Sequence, residues 1–131
     1  MTSVAQGAEL RISVEAGADL TGLQGYFLQW SGSTVVVCSA VTDEPAGVLQ
    51  DDDVVAGRMA EMVVLGPTLV SADAAIVAGA FIGPSADGQA ETKVPGTDVT
   101  EYVAGRAFEA AAAAGNLIHA VVNCVTPHRA A

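Results

Sequence analysis

Pro45-Ala46-Gly47-Val48-Leu49, followed by Arg58-Met59-Ala60-Glu61-Met62-Val63-Val64-Leu65, is the stretch on which the fold turns. The first piece is a short apolar strand opened by Ala-Gly. The second ends in a continuous apolar run, the pattern of a strand covered on both faces. Fifty-eight residues later the same order returns as Val103-Ala104-Gly105-Arg106-Ala107 and then Asn116-Leu117-Ile118-His119-Ala120-Val121-Val122-Asn123. Upstream, Gly25-Tyr26-Phe27 is echoed by Gly79-Ala80-Phe81 at an offset of fifty-four. The chain therefore reads as two similar β-units folded into one barrel or sandwich. It is not a solenoid, which needs at least three repeats.

Around this stretch glycine and proline punctuate short runs of Val, Ile, Thr, Phe and Tyr. That is the signature of many short strands. Strands are expected at 10–14, 26–30, 34–39, 46–49, 59–65, 68–70, 80–82, 89–93, 103–109 and 117–124. Leu10-Arg11-Ile12-Ser13-Val14 alternates as a half-buried strand should. Ser31-Gly32-Ser33 and Ala86-Asp87-Gly88 read as tight turns. The alanine-rich segments 72–78 and 109–114 favour helix by composition, but Gly79 and Gly115 stop each early, so one helical turn, or a compact bend connecting the last two strands, is expected. The predicted class is all-β: a small β-barrel or β-tulip-like sandwich with at most one or two short helical turns.

The length of 131 residues suits one domain. The expected organisation is an N-terminal arm over residues 1–9, a single β-rich domain over 10–125 and a loose tail over 126–131. Half the residues are apolar but only six are aromatic, so the core must be built from Val, Ala, Leu and Ile. Such small side chains bury little area each, which favours oligomerisation.

Fifteen acids against five bases give a formal net charge of −10. The bases, Arg11, Arg58, Lys93, Arg106 and Arg129, are scattered singly. No basic stripe offers itself to a phosphate backbone or an anionic membrane, so neither nucleic acid nor membrane is expected as a partner. The first residues lack the basic and apolar regions of a signal peptide, and no apolar run approaches a membrane helix. A protein made in the host cytoplasm is the expectation.

Candidate chemistry is sparse. Asp51-Asp52-Asp53 lacks the spaced ligands and central Gly of a calcium loop and reads as a solvated turn. His119 and Cys124 lie five apart on one strand and so face opposite sides. Two histidines and two cysteines at these spacings make no zinc pattern. Cys38 and Cys124 read as buried free thiols, with a disulfide between them left open. No Gly-x-Ser-x-Gly elbow or phosphate-binding loop is present. No enzyme activity, metal or cofactor is expected. A small ligand-binding β-barrel is a minor alternative.

One ordered set of segments is familiar: Ala46-Gly47-Val48-Leu49, Ala60-Glu61-Met62-Val63-Val64-Leu65-Gly66, Ala78-Gly79, Ala86-Asp87-Gly88-Gln89-Ala90, Gly105-Arg106-Ala107-Phe108-Glu109-Ala110-Ala111, and Gly115-Asn116-Leu117-Ile118. It resembles the capsid cement or head decoration proteins of tailed phages, over roughly residues 17 to 125. The Pro127-His128-Arg129 ending is similar too. The resemblance implies a structural protein with no catalytic residue. Such a protein binds the major capsid protein on the outer surface of the virion and stabilises the shell, often as a homotrimer. A tail or spike component is the alternative. The resemblance also implies that the N-terminal arm grips the shell, with Thr2, Ser3, Val4, Leu10 and Ile12 as the capsid-binding residues. Such an arm can add a strand to a neighbour's sheet.

Overall fold

A computed structural model describes residues 8–131, and these described residues are all-β, with eleven strands among them. In chain order they are β1 (Leu10–Glu15), β2 (Phe27–Ser31), β3 (Thr34–Val37), β4 (Gly47–Leu49), β5 (Met59–Ser71), β6 (Phe81–Pro84), β7 (Ala90–Thr92), β8 (Tyr102–Val103), β9 (Gly105–Ala107), β10 (Leu117–Asn123) and β11 (His128–Arg129). The main sheet runs β3-β2-β4-β5-β10-β9-β6-β7, with β1 also paired to β5.

The sheet order is a palindrome, and the registers show why. Phe27 pairs with Val48 and Leu28 with Gly47; Phe81 pairs with Arg106 and Ile82 with Gly105. Val48 pairs with Val63 and Leu49 with Met62; Arg106 pairs with Val121 and Ala107 with Ala120. These are the same pairs, displaced by the fifty-four and fifty-eight residues read from the sequence. Loop bonds repeat as well. Ala46 N–H donates to Leu28 O and Ala104 N–H to Ile82 O; Gly17 N–H donates to Val35 O and Asp73 N–H to Ala90 O. The repeat is thus structural, and it starts earlier than the sequence echo. β1 is the counterpart of the second half of β5.

The first unit comprises β1 to β4 and residues 59–65 of β5. The second takes residues 66–71 of the same strand together with β6, β7, β9 and β10. Each curls back on itself through one parallel bridge, Ala16 to Val35 in the first and Ala72 to Ala90 in the second. The strands expected at 59–65 and 68–70 are therefore one strand, shared by both units. Pro67 is tolerated inside it because this half of β5 is laddered only to β10, so the missing N–H breaks no second ladder.

Two cores result. One, inside the first unit, contains Leu20, Leu28, Leu49 and Met62. The other contains Val70, Ile82, Ile118 and Val122 of the second unit, together with Phe27, Cys38, Val48 and Val63 of the first. Cys38 and Cys124 are both free and buried in it, so the disulfide left open by the sequence is not formed.

Two local expectations change, and a third resolves between its alternatives. The alanine-rich segments form bends, not helical turns. Ile76 and Ala111, one from each, exchange backbone hydrogen bonds, and Asn116 Oδ1 accepts from the N–H groups of Ala112 and Ala113. These satisfied amides replace helical bonds that so short a stretch could not sustain. The strand expected at 103–109 is two, broken at Ala104, whose N–H goes to Ile82 O. The tail is not loose: β11 pairs with β8, Arg129 lies over the Tyr102 ring at 5.4 Å, and Ala130 is buried with its N–H on Glu101 O.

The hairpin at Ser31-Gly32-Ser33 forms as read. Gly32 sits at the first central position with φ of 63° and Ser31 faces Thr34, which is the backbone a two-residue type II′ turn needs.

Candidate functional site

The side chains with chemistry to offer are dispersed. His119 is half-buried on β10. Its backbone N–H donates to Glu109 Oε1 at 2.7 Å, and its Nδ1 lies 2.8 Å from the same oxygen. The backbone bond first, then the imidazole, holds the Glu109 carboxyl below its usual range. Burial pushes the Cys124 thiol up to about 12, so it is held neutral and is no activated nucleophile. Asp51 does not face its neighbours: its Oδ2 accepts from Glu61 N–H at 2.8 Å. Among the described residues no three His, Cys, Asp or Glu converge as a metal site.

Lys93 is 1% exposed. Its Nζ donates to Pro84 O at 2.8 Å, Glu91 Oε2 at 2.7 Å and Glu101 Oε1 at 2.6 Å. All three donors of the ammonium are satisfied, so this is a buried structural cation.

The fold also presents an apolar strip to solvent. On the outward side of β5 and β10 lie Leu65, Leu69 and Leu117, all exposed, with Pro67 facing Val121 across the ladder. Two grooves flank this strip. One, of about 350 Å³, is lined by Arg11, Gln24, Gln50, Thr68, Leu69 and His119 among others. Its amides are already engaged: Gln24 donates to Gln50 O, and Gln50 to Val48 O and Thr68 Oγ1. The other, of about 370 Å³, has walls that include Leu65, Phe81, Arg106, Phe108, Val121 and His128. It is mostly apolar. Arg106 lies 4.6 Å over the Phe81 ring and donates through Nε to Gly79 O.

The repeat explains this second groove. In the first unit Phe27, Val48 and Val63 are fully buried, because the second unit covers them. Part of that cover is the turn before β7: Phe27 N–H donates to Gly88 O at 2.7 Å, and Gly88 lies against Val37 and Cys38. The counterparts in the second unit are Phe81, Arg106 and Val121. Phe81 is 39% exposed and Arg106 is exposed. The same face of the same unit is covered once and open once.

Of the residues the sequence assigned to shell contact, Thr2, Ser3 and Val4 lie outside the described residues. Leu10 is exposed on β1. Ile12 is half-buried and packs against the first unit's core, so part of its side chain is committed to the fold. Sequence reasoning missed the outward strip. Its signal was present in 117–123, where Leu117 and Val121 make the second face of the strand apolar too.

No family model matches the chain, and no curated protein does. Among solved structures it is similar to the N base of the head fiber gp8.5 in bacteriophage phi29, at 21% identity and a TM-score of 0.61. The match covers 89% of this chain and 96% of that one. At this identity the likeness shows a shared fold, extending over almost the whole of both chains.

Proposed function

We propose that this chain is a structural protein of a phage virion that binds the major capsid protein on the outer surface of the head and stabilises the shell. One observation carries the reading: the fold is that of a phage head fiber base, matched nearly end to end. The sequence resemblance to cement and decoration proteins points to the same assembly by a separate route. The chemistry is compatible. The chain offers an exposed apolar strip rather than a cleft with converging polar groups, and its charge of −10 limits indiscriminate association at high local density. Its action is adhesion by a homo-oligomer, with a trimer favoured, through residues 1–9, Leu10 and the exposed part of Ile12. Ordering an arm costs entropy, which many copies on one lattice offset through multivalency.

The test is pelleting with expanded capsids of the phage that encodes the chain. Saturable co-sedimentation is expected, and removal of residues 1–9 should abolish it while leaving the thermal transition in place. Full-length protein that stays in the supernatant at every concentration contradicts the reading.

The neighbour being a fiber base gives the second reading its support. The same domain could serve as the foot of a longer appendage, and labelled particles seen by microscopy distinguish a single projecting site from an even coat.

A further inference from the structure

We infer that the second groove receives the β2–β3 hairpin of another copy of this chain, so that copies join head to tail. The inference rests on the homo-oligomer part of the reading above and gives it a surface. Inside one chain, the turn before β7 of the second unit covers the Phe27 face of the first. The counterpart of that turn in the first unit is Ser31-Gly32-Ser33-Thr34, the tip of the β2–β3 hairpin. The counterpart of the covered face is the open groove around Phe81, Arg106 and Val121. The fold thus carries one used pair and one unused pair of the same two surfaces, and within a chain the unused pair has no way to meet.

Both unused surfaces have the composition of an interface. Trp30, the sole tryptophan, is 53% exposed next to the hairpin tip, and apart from its two chain neighbours no described residue lies within 4 Å of where a Gly32 Cβ would be. The groove offers Phe108, 47% exposed, and Leu65. Exposed aromatics facing an aromatic-lined concavity are the usual anchors of an interface. Charge agrees. Arg106 lies in the groove and Arg129 in the adjoining hollow, and neither has an ion pair among the described residues. Acids stand at the base of the hairpin: Asp43 accepts from Gln29 Nε2 at 2.9 Å and from the Ser39 and Ala40 N–H groups, and exposed Glu44 follows it. An apolar groove with cations at its edge, on a chain of charge −10, is matched by a hairpin with an exposed tryptophan beside its tip and acids at its base. Because the two surfaces differ, the contact is heterologous and closes into a ring when the rotation permits.

The test is sedimentation velocity on the full chain, without capsids. Wild type is expected to sediment above the monomer. Trp30→Asp, which spoils the tip, and Phe108→Asp, which spoils the groove, should each be monomeric with an unchanged thermal transition. Mixed in equal amounts, the two should form a two-chain species, because each supplies the surface the other lacks. Arg106→Glu replaces Phe108→Asp if that variant does not fold. Val77→Asp, on an exposed loop elsewhere, should assemble as wild type. A monomeric wild type, variants that assemble normally, or a mixture that stays monomeric overturns the inference. So does a groove variant that loses capsid pelleting but keeps its oligomer, which would make the occupant the coat protein. Assembly without capsid binding would instead overturn the functional reading alone.

Discussion

Leu65 and Asn123 face each other across β5 and β10, and each is the other's counterpart in the repeat. Fifty-eight residues separate them, the same displacement that carries β4 onto β9. A pair of equivalent residues in register shows where the two units meet. The domain is two copies of one small β-unit joined by the single strand β5.

The units interlock at Gly88, so that residue should be intolerant. Its φ is 89°, and an added Cβ would lie 2.5 Å from Val37 Cγ2 and 2.9 Å from the Cys38 carbonyl oxygen. Gly22 has a similar φ of 78° but open space around it. Gly22→Ala should cost about 1–2 kcal/mol, the price of the left-handed backbone alone. Gly88→Ala should cost clearly more, because backbone must also move. Urea midpoints compare the two.

Lys93 replaces, in the second unit, the position that Cys38 fills in the first. Removing its side chain leaves Pro84 O, Glu91 and Glu101 without their donor. Lys93→Ala should therefore destabilise by about 3–5 kcal/mol. Glu101→Gln should cost less, roughly 1–2 kcal/mol, since Glu91 still faces the ammonium. Equal losses for the two would show that the cluster does not act as drawn.

The thiols should make stability fall in alkali. Burial pushes Cys38 and Cys124 up from 9.0 to about 12. A folded state that holds its protons more tightly than the unfolded chain is fully favoured below the unfolded value. That advantage is lost as pH rises from about 9 towards about 12. A Cys38→Ala, Cys124→Ala double variant should show a flatter decline over this window. Native protein should also resist iodoacetamide at neutral pH and react once unfolded.

In acid, Glu109 is one of the carboxyls, with Asp19 and Asp87, that are held below their ordinary values. Its carboxyl is lowered from 4.5, first by the backbone N–H of His119 and then by the His119 side chain. The stability it contributes is present above pH 4.5 and lost as pH falls through the folded value. Glu109→Gln should flatten that part of the acid dependence and lower the neutral-pH transition slightly, by the charge-dependent part of the bond. A thermal melt series from pH 7 to pH 3 reads both.

Much of the fold was legible because strand signals are local. Nearly every predicted strand is present, and the Ala-Gly openings at Gly47 and Gly105 mark equivalent strands. The origin of the repeat was hidden, because β1 and residues 66–71 share almost no side chains. Their likeness lies in backbone bonds such as Ala16 N–H to Arg58 O and Ala72 N–H to Asn116 O. The tail escaped because two residues of strand, His128 and Arg129, leave no periodicity to read. The grooves could not be foreseen either. Which of two equivalent faces stays open is decided by packing between units, and the identities of Phe81 and Phe27 are the same.

The central claim is that this domain adheres to the outside of a phage head, and a cryo-EM map of expanded capsids incubated with the purified chain tests it most directly. Added density is expected on the outer surface at regular lattice positions, into which the two-unit domain fits with its outward β5–β10 strip or its N-terminal arm against the coat protein. Capsids that remain bare at saturating protein would contradict it.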